Sequence, residues 1–211
     1  MNLRCFIAIE LSEEIKKTID ACIKRLKQTD ADVKWVSAKN LHLTLKFMGA
    51  TPEELLTEIN KKLSSIAKLY DRFTSGIFGA GVFPNVKYPR VIWLGVHDSE
   101  EIIKLQHDID KSMEGLGFKR DEKQFTPHLT IGRVKSMRNK DALIKELATL
   151  KEADFGKIEV INITLMKSEL KQSGAEQYFS IESSTALFTA SSETFLPLTI
   201  NSISMSVNFF G

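Results

Sequence analysis

The chain has 211 residues, 43% hydrophobic and 27% charged, with a formal net charge of +2. At that length one domain or two small lobes are expected, with enough buried surface to need no disulfide or structural metal. The composition excludes disorder as the main state, along with collagen-like and coiled-coil classes, and the small net charge gives no ground for a non-specific nucleic-acid or membrane binder. No run of 18 apolar residues exists to span a bilayer, and Met1–Glu10 carries no signal-peptide pattern, so a cytoplasmic protein is expected. Cys5 and Cys22 show no metal or redox spacing and read as two buried reduced thiols.

In chain order, Arg4–Glu10 reads as a short strand. Ser12 caps a predicted helix to about Gln28, with Ile15, Ile19, Cys22, Ile23 and Leu26 on one face. Lys34–Val36 and Leu41–Phe47 read as extended. In the second, Leu41, Leu43, Leu45 and Phe47 alternate with His42, Thr44 and Lys46, which predicts one apolar face and one polar face. Thr51-Pro52-Glu53-Glu54 predicts a helix start, with Thr51 as N-cap and the helix running to about Leu69. Phe73–Phe83 and Val91–Val96 predict strands joined by a turn around Pro84–Pro89. Ser99 caps a third helix, which Gly117 ends. A polar loop over 119–127 precedes a strand at His128–Val134, and a fourth helix spans about Asn139–Leu150. Strands follow at about Lys157–Ile161, Ile163–Leu170 and Tyr178–Ile181.

This mixture of hairpin and crossover connections implies an α+β fold with antiparallel or mixed sheets. No G-x-G-x-x-G or P-loop pattern occurs, so neither a dinucleotide fold nor a P-loop NTPase has support. Residues 1–171 hold all 29 basic side chains and 24 of the 27 acids, a net charge of +5. Residues 183–211 are Ser/Thr-rich with one charge, Glu193. They read as a flexible tail, an appended pair of strands or an out-of-frame terminus, so the catalytic unit is expected to span 1–182.

The chemistry concentrates in a repeated tetrapeptide. His42-Leu43-Thr44-Leu45 and His128-Leu129-Thr130-Ile131 both read H-L-T-aliphatic, 86 residues apart. On a strand, i and i+2 share a face, so each copy presents one imidazole beside one hydroxyl. Two histidines can divide acid and base work near neutral pH. Two threonine hydroxyls can donate to phosphate oxygens where charge develops. Arg133 would suit a phosphate too, but its odd spacing from His128 puts it on the opposite face unless a bulge near Gly132 intervenes. His97 and His107 lack a partner threonine and read as surface residues. A metal held by the two motif histidines is the weaker reading, because no third ligand stands at suitable spacing.

These residues and their surroundings carry a family resemblance. The paired motifs resemble those of the two-histidine (2H) phosphoesterases. The context, Arg4–Glu10, Trp35-Val36, Asn40–Gly49 and Phe125–Arg133, is similar to the bacterial and archaeal RNA 2′,3′-cyclic phosphodiesterases, also called 2′-5′ RNA ligases of the LigT/ThpR type. The resemblance covers about residues 1–181. It implies a bilobal LigT-like fold, two pseudo-symmetric lobes around a central cleft. It implies hydrolysis of a ribose 2′,3′-cyclic phosphate to a 2′-phosphomonoester, without cofactor or metal. His42 then matches the proton donor to the leaving oxygen and His128 the proton acceptor that activates water. Thr44 and Thr130 match phosphate-binding hydroxyls, and Arg133 a neighbouring basic position. Phe6 and Phe47 read as core residues first, and as an apolar wall for a base second.

The expected partner is RNA with a 2′,3′-cyclic phosphate end, or a small cyclic nucleotide; no membrane is expected, and a monomer is the default. Two further readings share the residues. One is a 2′-5′ RNA ligase or 2′-5′ phosphodiesterase acting on tRNA-like ends through the same site. The other is a nucleotide- or RNA-binding module without turnover, which would have no use for two titrating imidazoles.

Overall fold

The computed structural model describes residues 2–170 and 176–189. Its strands sort into two sheets, and every pairing within them is antiparallel. The first sheet holds β1 (Asn2–Glu10), β3 (His42–Pro52), β8 (Asn162–Leu170) and β9 (Glu176–Leu187), in the order β3-β1-β8-β9. The second holds β2 (Val33–Trp35), β4 (Phe73–Phe83), β5 (Val91–His97), β6 (His128–Val134) and β7 (Asp154–Val160), in the order β2-β6-β5-β4-β7. The two H-L-T strands, β3 and β6, therefore belong to different sheets, and they lie against each other.

Helix α1 (Glu13–Lys27) forms where its stripe predicts. All five apolar positions are buried, and the Ser12 hydroxyl accepts the Ile15 N–H at 3.3 Å. It packs with α4 (Lys140–Ala148) on the five-stranded sheet, while α2 (Leu56–Ala67) and α3 (Glu100–Glu114) cover the four-stranded sheet. Leu41, Leu43 and Leu45 enter the same continuous core as the buried helix residues. His42 and Thr44 alternate to the other face of β3, away from the helices.

Three expectations need correction. Thr51 does not cap a helix: it stays in β3, and its hydroxyl donates to the Gly49 carbonyl at 3.3 Å. Pro52 keeps extended backbone, so a 3-10 turn at Glu53–Leu55 comes before α2. Ser99 precedes α3 without a side-chain cap bond. The boundary expected after residue 182 lies inside β9, which stays paired with β8 through Thr164↔Thr185 and Asn162↔Leu187. Ala186 is buried, and Phe188 is 4% exposed between the rings of Tyr70 and Phe73, each 6.0 Å away. Ala186 and Phe188 thus join the core, because burying that ring outweighs the polar composition around it. The remainder of the expected tail, 190–211, lies outside the described residues. No helix among the described residues is long and apolar enough to cross a membrane.

Candidate active site

The first motif begins as the alternation predicts and then changes phase. In the β1–β3 pairing, Ala8 faces Thr44 and Ile7 faces Lys46, which leaves Leu45 as an extra residue, a β-bulge. Past it the two faces exchange. Lys46 turns into the core at 1% exposure, and Phe47 comes out at 65%, onto the face that holds His42 and Thr44. The predicted faces, with Lys46 polar-side and Phe47 core-side, are therefore reversed at these two positions. Phe6 is buried as expected.

The second motif repeats the device. In the β5–β6 pairing, Trp93 faces Thr130 and Ile92 faces Gly132, so Ile131 is the extra residue. This bulge returns Arg133 to the face of His128 and Thr130, one residue earlier than the Gly132 position anticipated from spacing. Gly132 itself is turned inward beneath the neighbouring strand. A Cβ there would stand 2.8 Å from Val33 Cγ1 and 3.0 Å from Trp35 Cε3, so only glycine lets β2 lie this close.

Each histidine is held the same way. His42 Nδ1 lies 2.7 Å from the Asn40 carbonyl, and His128 Nδ1 lies 2.7 Å from the Thr126 carbonyl. A carbonyl only accepts, so Nδ1 carries hydrogen in both rings, and Nε2 is the nitrogen left to exchange a proton. The packing around the rings differs. His42 lies 4.8 Å from the Phe6 ring, tilted, whereas His128 meets the edge of Phe83 at 5.1 Å. Burial pushes the His42 pKa down to about 4, against the opposing pull of its bond to Asn40. Burial therefore favours the neutral form of His42 at pH 7.

A cleft of about 530 Å³ lies between the motifs, lined by His42, Thr44 and Phe47 from one sheet and by Thr130 and Arg133 from the other. The histidine of the second motif shares the Thr130 face of β6. The structure thus gathers four of the five sequence-predicted residues onto one cavity and leaves His128 adjoining it on the same strand. His97 and His107 are exposed and remote from it, as expected. Arg4, Lys34 and Trp35 also line the cleft, and sequence reading missed their role as walls. The only available signal was register: Lys34 pairs with Arg133 and Trp35 with Gly132.

Behind the first motif, Lys46 Nζ donates to the Asp110 carboxylate on α3 and, at 2.9 Å, to the Lys119 carbonyl. Asp110 also receives Arg120 Nε at 3.2 Å and the Asp121 N–H at 3.3 Å. Burial alone would raise the Asp110 pKa, but Lys46 and Arg120 hold it below the usual carboxylate range. The clamp ties the strand of the first histidine to the loop that leads into the second. Cys5 and Cys22 are free and buried, and burial raises both thiol pKa values, that of Cys22 to about 11. Among the described residues no three His, Cys, Asp or Glu side chains converge as a metal-binding group.

Comparison with known proteins places this geometry. Residues 10–172 match the profile of the 2′-5′ RNA ligase superfamily. A protein of Methanothermobacter thermautotrophicus named RNA 2′,3′-cyclic phosphodiesterase is 40% identical over 174 residues, covering 82% of this chain and 94% of its own. One of the same name from Methanocaldococcus jannaschii is 38% identical over 172 residues, covering 82% and 95%. A solved structure from Thermus thermophilus, 27% identical, superposes with a TM-score of 0.73 over 89% of this chain and 99% of its own. With its paired H-L-T strands, its two antiparallel sheets and this degree of identity, the chain belongs to the 2′-5′ RNA ligase superfamily and has the bilobal α+β fold of the 2H phosphoesterases.

Proposed function

We propose that this protein hydrolyses the 2′,3′-cyclic phosphate at an RNA 3′ end to a 2′-phosphomonoester, with His42 as acid and His128 as base. The observation that carries this reading is the matched pair of imidazoles, each with Nδ1 pinned on a carbonyl two residues upstream and each two residues before a threonine that lines the cleft. The names of the archaeal relatives support the same substrate class. In this scheme His128 Nε2 takes a proton from water, and the water oxygen attacks phosphorus. The bond from phosphorus to O3′ breaks, and O3′ takes a proton from His42 Nε2. One water is consumed, and the two rings end with exchanged proton states. Thr44, Thr130 and Arg133 hold the phosphoryl oxygens and the charge they gain in the transition state.

The acid must be protonated, yet burial favours the neutral form of His42. The substrate supplies the remedy. A cyclic phosphate carries one negative charge, and an opposite charge within reach favours the protonated imidazole and raises its pKa toward the physiological range. A 5′-hydroxyl in place of water would give a 2′-5′ linkage at the same site, the reaction for which the superfamily is named.

The test is an oligonucleotide ending in a 2′,3′-cyclic phosphate, incubated with the protein in EDTA. The expected product is the 2′-monophosphate, identified by its mass and by resistance to a 3′-specific phosphatase. Absence of turnover, or turnover that appears only when a divalent ion is restored, overturns the scheme.

A further inference from the structure

Apolar side chains of similar volume often serve a fold as well as a buried ion pair, so stability alone does not account for the charged contact between Lys46 and Asp110. What such a pair fixes is geometry, because the ammonium has to stand where its acceptors are. Three segments meet at it. Lys46 comes from β3, turned inward by the Leu45 bulge. Asp110 comes from α3, one helical turn after Gln106, whose amide donates to the Asp121 carboxylate at 3.4 Å. The third segment is 119–121, fastened through the Lys119 carbonyl, the Arg120 guanidinium and the Asp121 N–H.

From that anchor the chain runs through exposed residues 122–124 to Phe125, which packs on the core, and to Pro127, whose carbonyl accepts the Val96 N–H at 3.3 Å. Thr126 lies between these two, itself exposed, and its carbonyl is the one that holds His128 Nδ1. The matching carbonyl for His42 belongs to Asn40, in a turn closed by local bonds from the Asn40 N–H to Ser37 and from the Leu41 N–H to Ala38. One histidine thus has a locally built anchor, and the other an anchor at the end of a loop that Lys46 helps to hold.

We infer that Lys46 is a positioning residue for the second histidine: through Asp110 and the 119–121 anchor it sets where the Thr126 carbonyl stands, and so which nitrogen of His128 carries hydrogen. A residue four places after the first histidine thereby governs the second, and the two motifs are locked together. For its catalytic consequence the inference rests on the cyclic-phosphodiesterase reading; the state of the ring does not depend on that reading.

Lys46→Met/Asp110→Leu removes the clamp without stranding a charge. Asp110→Asn keeps the shape with one acceptor fewer, and decides the matter if the double variant does not fold. Long-range nitrogen–proton NMR correlations on the full chain, at a pH where both rings are neutral, read the hydrogen position in each imidazole. In the parent both rings are expected to carry it on Nδ1. In the variants His128 should become a mixture of tautomers, while His42 stays on Nδ1 although the altered strand is its own. On a cyclic-phosphate oligonucleotide kcat should fall about 10- to 100-fold, the scale of a small misplacement of one reacting group. KM should stay within about threefold, because both threonines remain. A parental His128 tautomer or a parental kcat in the variants that fold overturns the inference, and so does a change at His42 without one at His128. If the His128 ring changes as expected but the parent chain does not hydrolyse cyclic-phosphate RNA, the positioning stands and the catalytic scheme fails.

Discussion

Strands β3 and β6 carry the same four-residue motif, and the two lobes build it with the same backbone. Each places a bulge three residues after its histidine, at Leu45 and at Ile131, and each anchors Nδ1 on the carbonyl two residues before. They diverge just beyond. The fourth position after histidine is Lys46 in one strand and Gly132 in the other, and the fifth is Phe47 against Arg133. In the proposed scheme a symmetric scaffold supplies two proton-transfer groups, but a reaction with a distinct attacking and leaving oxygen needs a direction. The unlike residues after the bulges, and the unlike rings packed against the two histidines, distinguish the two sides. The comparison can be broken, or sharpened, at each position where the strands agree or differ.

The largest effect is expected where they agree. In the proposed scheme each imidazole serves a different proton transfer, so His42→Ala and His128→Ala should each lower kcat by about 10²–10⁴. The double variant should fall little below the worse single one, because the pair works as a unit. Single-turnover rates on a cyclic-phosphate oligonucleotide measure this. Near-parental rates in either single variant would show that the two strands are alike in form but not in role.

The fourth position comes next. Lys46 is buried in a charge pair with Asp110, and Gly132 has no counterpart to it. Removing one partner of such a pair costs about 3–5 kcal/mol, and the Arg120 and Asp121 contacts to Asp110 should keep Lys46→Met near the lower bound. Lys46→Met combined with Asp110→Leu should recover much of the loss, since neither charge is then stranded. Urea unfolding of the single and double variants reads both values. A double variant as unstable as the single would mean that the contacts to Lys119, and not the charges, hold the loop before His128.

Much of this architecture was legible in the sequence, and the exceptions have a common cause. The α1 stripe, the order of the strands and both H-x-T pairs follow from periodicity, which is local. A bulge is not local. Leu45 and Ile131 are ordinary aliphatic residues, and their status is decided by register against β1 and β5. The alternation over Leu41–Phe47 therefore reads correctly up to Leu45 and in reverse after it. For the same reason the face of Arg133 could be posed as a question from spacing but not answered. The chain end failed differently. Charge and Ser/Thr content pointed to a tail after 182, whereas pairing with β8 and the pocket for Phe188 belong to segments far away in sequence. Asp110 as the partner of Lys46 was hidden too, at a separation of 64 residues.

Ring burial gives the next test. The His42 pKa is depressed from its ordinary 6.5 to about 4, so the unfolded chain takes up a proton near pH 6.5 that the native ring refuses until about pH 4. Stability is therefore lost as pH falls through that window, by about 2 kcal/mol at pH 4.5 from this ring alone. Urea unfolding at pH 7 and 4.5 should show that difference between the parent chain and His42→Gln. Inorganic phosphate should also raise the His42 pKa, read from the ring Cε1–H shift by NMR, because it brings a negative charge beside the ring. A His42 signal that titrates at 6.5 without phosphate would mean that burial does not favour the neutral ring.

The smallest effect is expected at Gly132, and it asks whether the two strands tolerate a side chain at the same place. In β3 the inward position after the bulge accommodates a whole lysine, because Asp110 and the 119–121 loop stand back to receive it. In β6 the space is taken by β2: an added methyl would meet Val33 Cγ1 at 2.8 Å and the Trp35 ring edge at 3.0 Å. Both obstacles are side chains only partly buried, so they can yield, and Gly132→Ala should cost about 1 kcal/mol, the low end for overpacking. Trp35 lines the cleft, so its displacement should also shift tryptophan fluorescence and raise KM more than it lowers kcat. A Gly132→Ala protein with parental stability and fluorescence would mean that β2 is not seated on β6 by this contact, and that the inward positions of the two strands are interchangeable after all.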